Sequence, residues 1–296
     1  MNRVDCLGMG IVPLDILHRV ERLPRPGEKI NAVGGIIQGG GPVPNTLVGL
    51  SRLGLVTAAI VVVGDDLLGE MSLQELRKEK VDVSQAIVKK RPSAAAIGLI
   101  GKDTGERTIS LLREIDIKPR DLKLGPCPIP KVIHLDGRDV EANIKLARWG
   151  KRHGAMISLD IGSMRNDVTP LLPWIDHLVV ADAYALPFTR SRSAKSAVRK
   201  LTDHCPGTVV VTSGLKGSLG YEDSEWATAR AIKVTSVDTT GAGDSFHAGY
   251  IYGLIQGWPL KQRLEFGAAT SALKCTKMGA RTGAPTLAEV KRFMRN

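Results

Sequence analysis

Aromatic residues and cysteines are scarce in this chain of 296 residues, and their scarcity narrows the class of protein. Phe, Trp and Tyr make up 4% of the residues, whereas glycine occurs 32 times and 43% of the residues are hydrophobic. This composition favours an α/β enzyme over an aromatic-rich β-sandwich. The four cysteines form no C-x-x-C pair, which argues against a disulfide framework or a zinc site and for a reducing, cytoplasmic environment.

Long apolar runs and basic runs are also missing. No apolar stretch approaches the ~18 residues that a membrane span requires, and the first residues carry no signal-like segment. The formal net charge is +11, but no run of four Lys or Arg occurs, and the clusters at 89–91 and 190–192 have no interleaved aromatics. The sequence therefore predicts no membrane and no nucleic-acid partner, and leaves an anionic small molecule open.

Two common nucleotide-binding motifs are absent. No G-x-x-x-x-G-K-[ST] sequence occurs, so P-loop chemistry is not expected. No G-x-G-x-x-G run opens a helix after the first strand, which argues against a dinucleotide-dependent dehydrogenase.

From residue 132 onwards, apolar strand patterns alternate with helical patterns. Strands are predicted at 132–135, 156–160, 178–181 and 208–212, with two more short ones at 218–221 and 231–234. Helices are predicted at 140–153, 193–204, 245–256, 260–278 and 287–294. This alternation predicts an α/β fold with a mostly parallel sheet covered on both faces, in a single domain over 1–296.

Two segments break the alternation, at about 13–38 and 92–115. Both carry short strand patterns, and the second contains a hairpin pattern around the glycines at 101 and 105. We expect them to form an antiparallel ribbon that serves as a small β lid over the main domain.

The run Gly241-Ala242-Gly243-Asp244 stands immediately before an apolar helical pattern. Glycines let the backbone approach a ligand, and a helix start offers N–H groups and a positive dipole end to an anion. Asp244 could accept the proton of an attacking hydroxyl during phosphoryl transfer. From these residues alone, a plain helix-capping role for Asp244 is equally open.

The wider sequence around Asp244 resembles a known family. Residues 237–246, Val-Asp-Thr-Thr-Gly-Ala-Gly-Asp-Ser-Phe, resemble the C-terminal signature of the ribokinase-like (PfkB) carbohydrate kinases. Gly40-Gly41-x-x-x-Asn45 resembles the N-terminal signature, and Gly64-Asp65-Asp66 and Thr212-Ser-Gly214 follow in the family's order. The resemblance covers nearly the whole chain.

The resemblance implies an ATP-dependent sugar kinase with a ribokinase-like three-layer sandwich, whose β lid helps to form a homodimer. Asp244 would be the catalytic base, and the amides of Gly241, Ala242 and Gly243 would form the anion hole. The residues implied for the sugar are Asp15, Gly40, Gly41 and Asn45, and those implied for ATP are Thr212, Gly214, Gly217 and Thr240.

Metal ligands are less well indicated. Asp238 and Thr240 are the candidates for a monovalent cation such as K⁺, although both could merely shape the loop. Where many members carry Asn-x-x-Glu for Mg²⁺ and phosphate, this chain has Ala181-Asp182-Ala183-Tyr184. Only Asp182 keeps a carboxylate there, and it could instead cap a helix; Mg²⁺ could also arrive as its ATP complex.

Gly39-Gly-Gly-Pro42, Asp244-Ser-Phe-His247 and Gly279-Ala-Arg-Thr-Gly-Ala-Pro285 resemble the sulfofructose kinase subgroup. The sugar is accordingly expected to be a ketose or its anionic derivative, fructose-like or sulfofructose-like. These stretches nevertheless indicate ancestry more than sugar choice, which should depend on the lid and on the loops that face the sugar.

Arg138 follows the strand at 132–135, and we expect it to contact an anionic terminus, with Arg107 and Arg113 as further candidates. Surface arginines without a ligand are the alternative.

His134, His153, His177 and His204 show no metal-ligand spacing and are expected to be structural or surface residues. His247, one turn into the predicted helix, is expected to serve packing, with a position near the nucleotide as the alternative.

Two other functions fit the same residues. A nucleoside kinase would use the same Gly-Ala-Gly-Asp centre, although few aromatics are available to stack a purine. A non-catalytic sugar sensor would explain the altered stretch at 181–184, but it would not need the base at Asp244.

Overall fold

The computed structural model describes residues 3–103 and 107–295. In chain order the strands are β1 Arg3–Met9, β2 Leu14–Val20, β3 Gly34–Gly39, β4 Thr57–Ile60, β5 Val62–Gly64, β6 Ile87–Lys89, β7 Ala95–Gly101, β8 Arg107–Leu112, β9 Ile129–Leu135, β10 Met156–Ile161, β11 His177–Ala181, β12 Thr208–Thr212, β13 Ser218–Glu222 and β14 Glu225–Ala229. The α-helices are α1 Pro42–Arg52, α2 Leu67–Lys78, α3 Val140–Arg152, α4 Asp182–Thr189, α5 Ala194–Leu201, α6 Ala242–Ile255, α7 Leu260–Cys275, α8 Ala280–Gly283 and α9 Leu287–Phe293.

The main sheet has eight strands in the spatial order β14-β13-β12-β11-β10-β9-β1-β4. All pairs from β4 to β12 are parallel, and β13 and β14 are added antiparallel at one edge. The inner strands are buried on both faces, as the run Thr-Val-Val-Val-Thr of β12 illustrates, which is typical of parallel sheets. The predicted mostly parallel sheet is confirmed.

Apolar side chains fill both faces of this sheet. One cluster joins the sheet to α3, α4 and α5, with Leu146 and Val198 fully buried. The other joins it to α1, α2, α6, α7 and α9, with Leu47, Tyr250 and Leu264 fully buried. The fold is therefore the three-layer α/β sandwich that the sequence predicts.

A second sheet of four strands, in the order β3-β2-β7-β8, forms the lid. Its strands lie within or next to the predicted segments, and part of the predicted 101–105 loop falls outside the described residues. The hairpins β2–β3 and β7–β8 are antiparallel, but the central pair β2–β7 is parallel, with Asp15 opposite Ala96. The prediction of a purely antiparallel ribbon is wrong at this pair, because two hairpins from distant parts of the chain join side by side.

Three elements differ from the predictions. The strand expected at 231–234 is instead β14, because Asp223 and Ser224 have φ of 48° and 69° and make a two-residue turn that starts the return strand at Glu225. Helix α6 begins at Ala242, three residues before the predicted start. Helix α4 occupies 182–189, between the strand predicted at 178–181 and the helix predicted at 193–204, where no element was predicted.

None of the helices in the described part of the chain is long and apolar enough to cross a membrane.

Candidate active site

A cleft of about 740 Å³ lies where the parallel strands end and the lid covers them. Asp136 follows β9, Asp160 lies near the end of β10, and Asp182 follows β11. The lid contributes Asp15 from β2, and Arg107 from β8. Ligands of open α/β sheets bind at this edge, because the loops after the strands converge there.

The predicted catalytic residue lies in this cleft. Gly241 precedes α6 in the left-handed conformation (φ 77°), and a Cβ there would lie 2.5 Å from Ala280 Cβ, so a glycine is required. Asp244 follows in the first turn of α6. From α1, Asn45 Nδ2 donates a hydrogen bond to Asp244 Oδ2 at 2.7 Å, and Thr46 Oγ1 donates one to the Asp244 carbonyl at 3.1 Å. The two signatures thus meet, although 199 residues separate Asn45 from Asp244.

The surroundings of Asp244 raise the pKa of its carboxyl group towards neutral pH. Burial raises the pKa of Asp244 to about 6, the negative charge of Asp160 adds to the rise, and the hydrogen bond from Asn45 opposes it. A carboxylate whose pKa lies near neutral pH can accept a proton and release it again, which suits a general base.

The N-terminus of α6 supplies the expected anion site, with one difference. Gly241 and Gly243 line the cleft, but Ala242 does not, and its N–H donates to the Thr239 carbonyl at 3.2 Å. First-turn amides such as those of Gly243 and Asp244 have no intrahelical acceptor. They are the donors best placed to receive an anion at this helix end.

Of the residues expected to hold the sugar, Asp15, Gly41 and Asn45 line the cleft. Gly40 lies behind them, and a Cβ on it would come within 2.1 Å of Asp15 Oδ1, so the glycine leaves room for that carboxylate. Asp15 is only 6% exposed. Burial raises its pKa to about 7; the positive charge of Arg281 opposes the rise, and the negative charge of Asp244 adds to it.

Arg281, on α8, was not predicted and joins the two halves of the site. Its guanidinium is buried; Nη2 donates to the Gly40 carbonyl at 2.9 Å and Nε to Asn45 Oδ1 at 3.2 Å. Because Oδ1 of Asn45 accepts from Arg281, its Nδ2 must face Asp244. Burial lowers the pKa of Arg281 to about 10, and the charge of Asp15 opposes that change.

Three arginines line the cleft, namely Arg107, Arg138 and Arg165. Arg138 Nε lies 3.7 Å from Asp136 Oδ2, too far for a hydrogen bond, and has no other partner in the described structure. Arg113, in contrast, is committed to Asp139 through contacts of 2.6 and 2.7 Å. The expected contribution of Arg138 and Arg107 to the cleft agrees with the geometry, whereas that of Arg113 does not.

On the nucleotide side, Thr212, Gly214 and Thr240 line the cleft. Gly217 does not; it closes a turn in which the Ser213 N–H donates to its carbonyl at 2.8 Å. Asp182, the first residue of α4, also lines the cleft near Thr212. A single carboxylate in the cleft fits Mg²⁺, which proteins commonly hold through one or two carboxylates together with substrate phosphates and water.

Asp238 is fully buried outside the cleft lining. Its Oδ1 accepts the Thr240 N–H and its Oδ2 accepts the Gly279 N–H, both at 2.8 Å. The Asp238 carbonyl accepts a hydrogen bond from Lys274 Nζ at 2.5 Å. Of the two residues expected to bind K⁺, Asp238 is therefore already engaged with protein donors through both carboxylate oxygens and its carbonyl, and these oxygens do not fit the cation. Thr240 Oγ1, in contrast, is buried and has no hydrogen-bond partner among the described residues.

His247, expected to serve packing, lines the cleft one turn after Asp244. Its Nε2 lies 3.2 Å from Asp160 Oδ1, and its ring lies 5.2 Å from that of His134. Sequence spacing could not show this cluster, because its members come from three separate elements, β9, β10 and α6.

Comparisons with known proteins agree with this geometry. The model of the pfkB family carbohydrate kinases matches residues 1–287. A 5-dehydro-2-deoxygluconokinase of Geobacillus kaustophilus is 25% identical, over 98% of this chain and 93% of that protein. The structure of Arabidopsis thaliana ribokinase complexed with ribose and ATP has a TM-score of 0.82 at 25% identity and 99% coverage of both chains. The adenosine kinase of Sinorhizobium meliloti, at 23% identity and a TM-score of 0.86 over 98% of this chain and 99% of that one, shares the fold.

Proposed function

Because the chain belongs to the pfkB family of carbohydrate kinases, we propose that it transfers the γ-phosphoryl group of ATP to a hydroxyl of a ketose or an anionic ketose derivative. The hydrogen bond of 2.7 Å between Asn45 and Asp244, made inside the cleft at the start of α6, carries this proposal. It supports the proposal because it brings the Asp244 carboxylate, the Asn45 amide and the N-terminus of α6 together at one point.

In the proposed reaction, the sugar hydroxyl gives its proton to Asp244 while its oxygen attacks the γ-phosphorus. The bond from that phosphorus to the bridging oxygen breaks, and ADP leaves. The amides at the start of α6 stabilise the negative charge on the transferring group. Asp15 and Asn45 orient the sugar hydroxyls by accepting and donating hydrogen bonds.

ATP as the donor is supported by the Arabidopsis ribokinase complex with ribose and ATP. Thr212, Gly214 and Thr240 line the same cleft as Asp244. Asp182 would hold Mg²⁺ near the phosphates, where the ion would neutralise phosphate charge.

An anionic group on the sugar is supported by the arginines of the cleft. Burial lowers the pKa of Arg138, the negative charge of Asp136 opposes this change, and the nearby positive charge of Arg165 adds to it. Arg138 is half-buried and Arg165 is exposed, and an oxyanion that binds between them can form charge-assisted hydrogen bonds with both guanidinium groups. The 5-dehydro-2-deoxygluconokinase among the relatives is named for a sugar acid.

The reaction is tested by coupled detection of ADP against ketoses, their 6-phosphates and 6-sulfonates, sugar acids and nucleosides. We expect turnover on an anionic ketose, and the Asp244→Asn variant should lose ~10²–10⁴-fold in kcat with sugar affinity largely kept. Undiminished turnover in Asp244→Asn would refute the mechanism.

The charge contact is tested separately with Arg138→Ala. This substitution should reduce kcat/KM more for the anionic ketose than for neutral fructose. The additional loss should correspond to ~1.5–3 kcal/mol of transition-state stabilisation. Equal losses on both sugars would show that Arg138 does not contact the anionic group of the ketose.

No observation favours nucleosides. Within the described residues, the cleft is lined by no Phe, Tyr or Trp that could stack a purine. The intact contact between Asn45 and Asp244 likewise gives no support to a non-catalytic sensor. Activity confined to nucleosides in the same panel would reverse this conclusion.

We also propose that two copies join through the outer face of the lid. Ile16, Ile37 and Ile97 lie side by side on β2, β3 and β7, facing away from the cleft. Ile37 and Ile97 are each 58% exposed. An exposed apolar row on a sheet is typical of an interaction surface.

A further inference from the structure

Lys274 is a lysine with no exposed surface, in the last turn of α7. Fully buried lysines are rare, because removing an ammonium from water is costly unless a partner compensates. Its Nζ donates to the carbonyl of Asp238 at 2.5 Å. That carbonyl begins the segment Asp238–Gly241, which leads directly into the N-terminus of α6.

The surroundings are built around this ammonium. The Asp238 carboxylate is buried beside it and is held by the amides of Thr240 and Gly279. Burial lowers the pKa of Lys274, and the charge of Asp238 opposes the change. Gly283 leaves room for the side chain, since a Cβ at 283 would lie 3.1 Å from Lys274 Cε and 2.8 Å from the Lys274 carbonyl oxygen.

The contact also orients the segment before Asp244. No cis peptide bond occurs in the described chain, so the Thr239 N–H points opposite to the carbonyl that Lys274 holds. Arg107, from the lid, donates to the next carbonyl, that of Thr239, at 2.6 Å. Lys274 thus places a fixed positive charge against the segment that leads into the N-terminus of α6, where phosphoryl charge would develop.

We propose that the ammonium of Lys274 is a built-in monovalent cation, which takes the place beside the Asp238 carbonyl where the family resemblance predicts K⁺. Like K⁺, it is a compact monovalent charge that carbonyl oxygens can coordinate. Lys274 is thereby a positioning residue, and phosphoryl transfer by this chain needs no K⁺. This inference rests on the proposed kinase activity.

The wild-type protein provides the first test. Its kcat and KM are measured in choline chloride and then with K⁺ replacing choline at constant ionic strength, using ATP free of K⁺. We expect no change in either constant. Activation by K⁺ at constant ionic strength would overturn the proposal while leaving the kinase function intact.

The second test removes the ammonium of Lys274 so that a free K⁺ or NH₄⁺ can occupy its place beside the Asp238 carbonyl. Lys274→Ala should lose ~10–100-fold in kcat in choline chloride, and K⁺ or NH₄⁺ should restore most of it. Lys274→Met, which fills the space without charge, should lose activity and not respond to K⁺. The control is Lys277→Ala, an exposed lysine paired with Glu289 one turn away, which should behave as wild type.

A readout independent of catalysis accompanies these assays. The midpoint of thermal unfolding of Lys274→Ala should rise with K⁺ or NH₄⁺, whereas those of the wild type and Lys277→Ala should not. Full activity of Lys274→Ala in choline chloride without K⁺ or NH₄⁺ would refute the proposal, as would losses that neither ion reverses in a variant that remains folded.

Discussion

Asp244 must lose its proton to work as a base, yet its position opposes ionisation. Burial and the neighbouring charge of Asp160 together raise its pKa to about 6. Because the protonated carboxyl cannot accept a proton, kcat/KM should fall with a slope of one below about pH 6.

The contribution of Asp160 to this fall in kcat/KM at low pH, the acid limb of the pH profile, can be measured separately. Asp160→Asn removes a negative charge near Asp244, so the acid limb of the kcat/KM profile should move to lower pH. The exposed Asp167→Asn removes the same charge from the surface and should leave the limb unmoved. A profile of Asp160→Asn identical to that of the wild type would contradict this electrostatic account.

Arg281 controls the same base through Asn45. In Arg281→Lys the ammonium cannot reproduce both hydrogen bonds of the guanidinium, so Asn45 loses its fixed orientation. We expect kcat to fall by ~10-fold or more, and the acid limb to move to higher pH because Asp244 loses a stabilising hydrogen bond. Arg292→Lys, on the exposed face of α9, is the control, and an unshifted limb in Arg281→Lys would show that Arg281 acts only in folding.

We expect Asp15 to lower the stability of the folded protein when its carboxyl group is ionised. Its folded pKa of about 7 lies above the ordinary value of 3.8, so the folded state binds more protons between these two pH values. Stability therefore falls as pH rises from about 4 to about 7, and the loss is complete above that range. Asp15→Asn should stabilise the protein by about 1–3 kcal/mol at pH 8 and by little at pH 4, measured by urea unfolding. A gain that does not depend on pH would contradict this linkage.

At the scale of elements, α6 holds Asp244 in place because it packs closely against two helices. Gly49 of α1 faces Ala248, and Gly249 faces α7, where a Cβ would lie 2.4 Å from Thr270 Oγ1 and 2.9 Å from Gly267 Cα. Gly249→Ala should therefore push the helices apart and cost about 1–3 kcal/mol in the free energy of unfolding.

A matched substitution gives the control for that change. Gly125→Ala adds a Cβ that meets nothing within 4 Å, at a position without positive φ. Denaturant unfolding of the two variants should differ clearly; equal midpoints would mean that the contact between α6 and α7 is looser than the distances indicate.

The elements that sequence predicted well are those with a strong period. The buried strands and amphipathic helices after residue 132 were placed within a few residues of their observed bounds. The strand β14 was misplaced because the turn at Asp223-Ser224 requires two residues in the left-handed conformation. Neither residue is a glycine, so nothing in the sequence indicated a turn there. The parallel pair β2–β7 could not be predicted, since no local pattern tells which distant strands become neighbours.

The residues of the candidate site also differ in how well the sequence predicts them. Asp244 and Asn45 were found because each stands in a long motif. Arg281, Asp160 and Lys274 were missed, because their importance comes from burial and from contacts with residues up to 241 positions away. The signal for Lys274, a lysine among apolar helix positions, was present but gave no hint of its partner.

At the scale of the whole molecule, the proposed dimer can be broken at the lid. Ile97→Lys places a charge at one end of the exposed apolar row formed with Ile16 and Ile37, and should convert a dimer to a monomer in light scattering after gel filtration. Leu215→Lys is the control, because Leu215 is 90% exposed and lies outside the lid. A wild-type chain that is monomeric at high concentration would contradict the proposal.

The parallel pairing of β2 with β7 has a consequence for how the chain folds. The two central lid strands are separated by residues 21–94, which include α1 and α2. Closing so long a segment is entropically costly until those helices have docked on the main sheet. The lid should accordingly assemble after the transition state, so that substitutions in β2 or β7 accelerate unfolding while leaving the refolding rate nearly unchanged.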